Sequence, residues 1–164
     1  MIQVAILTVS DSVAKGTRED RSGLNLKQRA EALGWQVRNV GVASDDVEDI
    51  AAKLTSWADG GTVDVILTTG GTGIAIRDVT PEATRAVMDR EVPGIGEIMR
   101  SEGRKVTRLA PLSRSMAGTR GTVVIVNLPG SPKGAVESLD AIADLIPHMV
   151  DLLHGKTEHA PVGN

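Results

Sequence analysis

The sequence of 164 residues contains no cysteine, phenylalanine or tyrosine, and Trp35 and Trp57 are its only large aromatic side chains. Without cysteine there is no disulfide, no zinc–cysteine or iron–sulfur site and no thiol nucleophile. The three histidines, His148, His154 and His159, all fall at or beyond position 148, which argues against a catalytic triad and against a three-histidine metal site. The scarcity of rings also removes the stacking platforms on which many nucleic-acid-binding folds depend, so no nucleic-acid partner is expected. No apolar run approaches the ~18 residues of a membrane span, and no amino-terminal segment has the pattern of a secretory leader. A cytoplasmic protein with no membrane partner is the expectation.

The chain has the balance of an ordinary globular protein, 41% hydrophobic and 24% charged, at a length suited to one domain. Residues 1–154 are expected to form that domain and residues 155–164 a polar, flexible tail. The net charge of −3 is unevenly spread. Between Arg100 and Arg120 six basic residues face a single acid, Glu102, so this window carries +5 and the rest of the chain −8. Such a run reads either as a solvated face or as a cradle for an anionic ligand or an acidic partner surface.

Short β-branched runs alternate with helical spacing. Ile2–Val9, Val37–Val42, Val63–Thr69 and Thr122–Leu128 read as buried strands. Helices are predicted from about Gly23 to Leu33, from Val47 to Ala58 with its stripe at Val47, Ile50, Ala51, Leu54 and Ala58, from Thr80 to about Arg90, and over Ile95–Glu102. A last helical pattern runs from Val136 to Leu153, and Pro147 predicts a kink or break within it. At Thr80-Pro81-Glu82 a cap, a preset helical φ and a favourable dipole partner come together. The alternation implies right-handed βαβ units and a three-layer α/β/α domain on a mostly parallel sheet.

Ligands of such sheets bind beyond the carboxyl ends of the strands. All four predicted strands end there in polar or glycine- and proline-rich turns: Ser10-Asp11-Ser12, Ser44-Asp45-Asp46, Thr69 to Gly73, and Asn127 to Lys133. Each turn alone has a plain explanation, and the shared edge is what points to a site. Gly70-Gly71-Thr72-Gly73 would let a ligand approach the backbone closely and would present N–H donors to an anion, although it has neither P-loop nor dinucleotide-fingerprint spacing. Asp45, with Glu48 three positions on, resembles a capping box, which would explain it without function. Asp78 has no evident structural task if Thr80 caps the helix.

Four separated motifs then carry a resemblance that spans nearly the whole chain. Leu67-Thr68-Thr69-Gly70-Gly71-Thr72-Gly73, Arg77-Asp78-Val79-Thr80-Pro81-Glu82-Ala83, Leu112-Ser113-Arg114-Ser115 and Asn127-Leu128-Pro129-Gly130-Ser131-Pro132 occur in the order seen in the MogA/MoaB-type molybdopterin-binding family. The same pattern marks the G domain of plant and animal multidomain relatives. The resemblance implies the molybdopterin-binding fold and molybdopterin adenylyltransferase activity, with ATP and molybdopterin as substrates, Mg²⁺ as cofactor, a homotrimer, and a downstream molybdenum insertase as a further partner. The alternative within the family is a binding or scaffold module without turnover.

By the same resemblance Asp45 and Asp78 take the positions of the functional aspartates, Asp45 for Mg²⁺-linked catalysis and Asp78 for organising the pterin and the glycine loop, with metal contact. Ser10, Asp11 and Thr69 to Gly73 would line the cleft, while Ser113 and Arg114 would bind the pterin's polar groups and phosphate. Pro129, Gly130, Ser131 and Lys133 would form another wall, where Lys133 would neutralise nucleotide charge. The chain departs from the family pattern at Ser131, where Asn or Gln is common, and at Ile74 and Ile76.

Overall fold

A computed structural model describes residues 1–157. Its strands are β1 (Gln3–Val9), β2 (Gln36–Ala43), β3 (Val65–Thr69), β4 (Arg90–Glu91), β5 (Ala117–Arg120) and β6 (Val123–Leu128). They form one sheet in the order β2-β1-β3-β6-β5-β4. β2, β1, β3 and β6 run parallel, whereas β5 is antiparallel to both β6 and β4. The helices among the described residues are α1 (Asp11–Ala14), α2 (Arg21–Ala32), α3 (Val47–Asp59), α4 (Thr80–Val87), α5 (Pro93–Arg104), α6 (Pro132–Ile142) and α7 (Ile146–Leu153).

Side chains alternate across the sheet, as the pleat requires. Val4, Ile6, Val65, Leu67, Val124 and Val126 face a core completed by Leu26 of α2, Met99 of α5, Leu139 of α6 and Ile146 of α7. Ala5, Leu7, Ile66, Val123 and Ile125 face the opposite core, covered by Ile50 and Leu54 of α3 and Ala83 of α4. Strands buried on both faces give the unbroken apolar runs seen in the sequence. This is the expected three-layer α/β/α architecture.

Several local expectations are corrected. β4 and β5 escape periodicity: β4 is two residues long, and β5 is the short Ala117–Arg120 segment within the basic window. α4 ends at Val87, not near Arg90, because the chain turns there into β4. The long carboxyl-terminal pattern breaks between Ile142 and Ile146, and Pro147 lies in the first turn of the second helix, where a missing N–H costs little. Of the tail expected from Gly155, residues 158–164 lie outside the described residues.

The chain order around β1 creates a switch point. The connection from β1 leads to β2 on one side, and the next strand, β3, pairs with β1 on the other. The turns leaving β1 and β3 therefore diverge and open a crevice at the carboxyl edge.

Candidate functional site

The crevice is narrow at its base because glycine makes it so. Gly70 has φ +102° and Gly71 φ +68°, conformations that glycine adopts without the cost borne by a side chain. A Cβ at Gly70 would run into the Val9 carbonyl at the end of β1, and one at Gly71 into the Thr80 hydroxyl. The Gly70 amide donates to the Leu128 carbonyl at 3.1 Å, and the Thr80 hydroxyl donates to the Gly70 carbonyl at 2.8 Å. Thr80 thus secures the glycine loop and is not a cap: the N-cap position of α4 is Val79, with no side-chain capping bond. Thr69, fully buried, donates its hydroxyl to the Pro129 carbonyl at 2.7 Å and so ties the loop after β3 to the one after β6.

The capping-box reading of Asp45 fails, because the cap of α3 is its neighbour Asp46, whose carboxylate accepts from the Asp49 amide at 3.0 Å. Asp45 is bound instead to Asp11 across the crevice mouth. The Asp11 amide donates to Asp45 Oδ2 at 2.9 Å, and the Asp45 amide donates to Asp11 Oδ1 at 3.0 Å. Arg77 completes the group with two bonds to the Asp11 carboxylate, at 2.6 and 3.0 Å. The Arg77 guanidinium and the Asp45 amide hold the Asp11 carboxyl down at about 2. Asp45 moves the other way, raised by burial and by the negative charges of Asp11 and Asp78. Both effects follow from the surroundings: Asp11 has a cation and Asp45 faces two carboxylates. Asp78 accepts from the Ala75 amide at 3.0 Å through Oδ2, so it does have a structural task, in closing its own loop.

A cleft of about 370 Å³ brings together Ser10, Asp45, Thr69, Gly70, Gly71, Asp78, Gly130 and Ser131 of the sequence-derived set. Asp11, Thr72, Gly73, Ser113, Arg114, Pro129 and Lys133 do not line it. Asp11 acts behind Asp45, as described. Buried Thr72 accepts the Arg114 amide at 2.7 Å through its carbonyl, and the missing side chain of Gly73 leaves room for the Asp78 carboxylate.

Arg114, about one-third exposed, donates to the carbonyls of Gly73 and Asp78 at 2.8 and 2.7 Å and pairs with the Glu82 carboxylate. Arg114, expected to bind phosphate, does not line this cleft, and its fork holds the glycine loop and Asp78 against α4. Lys133 is exposed, lies 3.7 Å from Glu137 in an i,i+4 pair and does not line the cleft, although its neighbour Pro132 does. Ser113 and Pro129 belong to a second cavity of about 510 Å³, walled by Met99, Val106, Leu109 and Ala141 and meeting the first at Ser131. Ser131 caps α6, accepting from the Gly134 amide at 3.1 Å.

The cleft also contains residues that the motif reading missed. Arg18, Glu19 and Asp20 line it from the turn before α2, and Arg21 and Ser22 from the first turn of that helix. The available signal was Asp20 three residues before Gly23, an N-cap pattern, in a long connection leaving the first strand of a switch-point fold. Asp20 does cap α2, accepting from the Gly23 amide at 2.9 Å.

A doubly wound sheet whose switch-point crevice holds a left-handed glycine loop, a helix amino terminus and the carboxylates of Glu19, Asp20, Asp45 and Asp78 defines an α/β ligand-binding protein. Residues 5–148 match the family described as a probable molybdopterin binding domain. The chain belongs to this molybdopterin-binding family. It is 40% identical over 159 residues to a Helicobacter pylori protein named molybdopterin adenylyltransferase, covering 94% of this chain and 89% of that one. It is 39% identical to the molybdenum cofactor synthesis protein cinnamon of Drosophila melanogaster, across 93% of this chain but 26% of that longer protein. The crystal structure of MoaB from Thermus thermophilus, a molybdopterin biosynthesis enzyme, superposes with a TM-score of 0.89 at 47% identity, covering 95% of this chain and 98% of that one.

Proposed function

We propose that this chain is a molybdopterin adenylyltransferase of molybdenum cofactor biosynthesis, transferring AMP from ATP to the terminal phosphate of molybdopterin. The observation that carries the reading is the placement of Asp45 and Asp78 in one cleft with the left-handed Gly70-Gly71 turn. In the reaction an oxygen of the molybdopterin phosphate forms a bond to the α-phosphorus of ATP. The bond from that phosphorus to the oxygen bridging to the β-phosphorus breaks, its electron pair leaves on pyrophosphate, and the product is adenylylated molybdopterin. Two polyanions must meet, so positioning and charge neutralisation dominate catalysis.

The residues present fit Mg²⁺ as part of such a site. Asp45 Oδ1 has no hydrogen-bond donor among the described residues, and the raised Asp45 carboxyl marks a place where negative charge is crowded. Mg²⁺ is a hard cation that is commonly held by one or two carboxylates together with phosphate oxygens and water. When bound, Mg²⁺ would offset phosphate charge during transfer. Asp45 and Asp78 would hold it, Asp11 and Arg77 orient Asp45, and Arg114 with Glu82 fixes the loop that bears Asp78. The Gly71 amide lines the cleft without an acceptor among the described residues and is a donor for a phosphate oxygen.

The finer reading is a homotrimer acting in the cytoplasm and handing its product to a downstream molybdenum insertase. Exposed Val106, Leu109 and Leu112 supply apolar surface for self-association, and light scattering tests it, a monomer at working concentration counting against the trimer. No helix among the described residues is long and apolar enough to cross a membrane. The decisive experiment for the activity supplies purified protein with molybdopterin, ATP and Mg²⁺ and measures pyrophosphate. Release in step with adenylylated molybdopterin is expected; pterin binding without product would make the chain a binding module.

A further inference from the structure

We propose that Thr84 is a positioning residue for adenylyl transfer: through a hydrogen bond from buried Asn127 it sets where α4 lies on the sheet, and with it where Asp78 and the glycine loop stand in the cleft. The inference rests on the adenylyl-transfer reading. Thr84 does not line the cleft, so it acts on the site through the helix that carries it.

The glycine loop is fastened to α4 at both of its ends. At the first residue of the helix, the Thr80 hydroxyl donates to the Gly70 carbonyl at 2.8 Å and the Thr80 amide to the Gly71 carbonyl at 3.1 Å. Two residues on, Glu82 pairs with Arg114, whose fork holds the carbonyls of Gly73 and Asp78. A displacement of α4 along or about its axis would therefore move the whole loop. Yet the helix has little apolar material to hold it. It is eight residues long, it has no side-chain cap, and its buried residues are Thr80, Pro81, Ala83 and Thr84. Short side chains make shallow ridges, and apolar contact has no preferred direction. Directional bonds are left to fix the helix in place.

The anchor beneath Thr84 is a polar seam in an apolar layer. On the face of the sheet covered by α3 and α4, Ile66 and Ile125 are followed two residues later by Thr68 and Asn127, which are register partners on β3 and β6. Asn127 is fully buried, and its Nδ2 donates to the Thr84 hydroxyl at 2.9 Å and to the Thr68 hydroxyl at 3.1 Å. Thr84 is fully buried as well and lies one turn from Thr80 on the same face of α4. Two hydroxyls one turn apart thus hold the helix, Thr80 to the glycine loop and Thr84 to β6.

Stability alone does not account for the seam. Asn127 Oδ1 is buried and accepts no hydrogen bond among the described residues. An acceptor withdrawn from water and left unpaired costs as much as a neutral bond contributes, or more, so it offsets much of what the two donations gain. What the amide adds is direction: a donor fixed in the core admits one placement of the helix that accepts from it.

Steady-state kinetics and amide hydrogen exchange on the full chain test the assignment with three variants. Thr84→Val removes the hydroxyl and nearly keeps the shape, Thr84→Ser keeps the hydroxyl, and Thr68→Val removes the other acceptor of Asn127 while leaving its bond to the helix. Thr84→Val should lower kcat about tenfold to a hundredfold, the order of effect of a misplacement of about 1 Å, with the KM values for ATP and molybdopterin within about threefold of the parent. Thr84→Ser should restore kcat to within about threefold of the parent, and Thr68→Val should stay within the same range despite a comparable loss of stability. If Thr84→Val folds poorly, Thr84→Ala, which suits a helix, takes its place with the same expectations. Exchange reads the placement without turnover. In Thr84→Val the Thr80 and Arg114 amides, which donate to the Gly71 and Thr72 carbonyls, should exchange about tenfold faster relative to the strand amides of β3 and β6, which report global opening. An unchanged kcat in Thr84→Val would overturn the proposal. Equal losses of kcat in Thr84→Val and Thr68→Val, or exchange accelerated uniformly across the sheet, would also overturn it and leave Thr84 a packing residue. In a protein that never forms adenylylated molybdopterin, local acceleration at Thr80 and Arg114 would uphold the placement of the loop by Thr84 and overturn the reaction.

Discussion

Replacing Asp45 by asparagine removes one negative charge while nearly preserving shape, and the surroundings set opposite consequences for stability and turnover. The side-chain oxygen of the asparagine would still accept from the Asp11 amide, which lies 2.9 Å from Asp45 Oδ2 in the parent protein. Exchanging a charge-assisted bond for a neutral one costs about 1 kcal/mol. Against this, the substitution removes the repulsion from Asp11 and Asp78 and the burial of a charge, the causes that raise the Asp45 carboxyl. The two terms offset each other, so the unfolding free energy should change by less than about 1 kcal/mol, a shift of a few degrees in melting temperature for a domain of this size. Turnover has no such offset. Losing one preorganised charge where phosphates meet costs about 3–4 kcal/mol of transition-state stabilisation, or roughly a hundredfold to a thousandfold in kcat. Thermal unfolding and pyrophosphate release on the same preparation measure both. Turnover within about threefold of the parent would refute the reasoning and leave Asp45 as a tie between loops, and a drop of more than about 10 °C would show it to be structural.

Arg114→Lys should lower kcat more than it raises either KM, because one ammonium cannot hold the Gly73 and Asp78 carbonyls and Glu82 together. Glu82→Gln, which lies outside the cleft, should reproduce part of that split; if a phosphate KM rises alone, Arg114 is a ligand-binding group after all. Gly71→Ala should destabilise the fold by about 2 kcal/mol or more in chemical denaturation, since its φ of +68° is costly for alanine and the new methyl meets the Thr80 hydroxyl. Carboxyl carbon-13 titration should place Asp11 near 2 and Asp45 above the ordinary 3.8. The linked stabilities have opposite signs: the Asp11 contribution is present above its unfolded pKa and lost as pH falls toward 2, whereas that of Asp45 is present at low pH and lost as pH rises through its folded pKa. Coincident midpoints for the two groups would contradict the Asp11–Arg77 geometry.

By itself the sequence determined the layers and the edge where chemistry gathers. Runs such as Val4–Leu7 and Val65–Leu67 are apolar because both faces of the sheet are covered, and the stripe from Val47 to Ala58 is spaced at helical period because α3 lies on one face. Those periodicities are local properties, legible wherever one or two neighbours decide burial. The glycine turn stands out by composition, whereas Asp45 and Asp78 are marked as functional by the family resemblance and not by spacing. Which side chain turns into the cleft was decided only by tertiary structure. The sequence pattern makes Asp45 the cap of α3, but the folded chain gives that task to Asp46 and pairs Asp45 with Asp11, 34 residues earlier in the chain. Gly73, Asp78 and Glu82 gather around Arg114 only in the folded chain, and residues 18–22 reach the cleft only because α2 docks against the end of β1. The absence of cysteine, and of histidine before position 148, had already turned the chemistry toward carboxylates, hydroxyls, backbone amides and basic side chains. Long-range pairing then divided them: Arg77 and Arg114 are engaged by Asp11 and Glu82, far from them in the sequence, and only the three-dimensional structure shows which charges are engaged in this way.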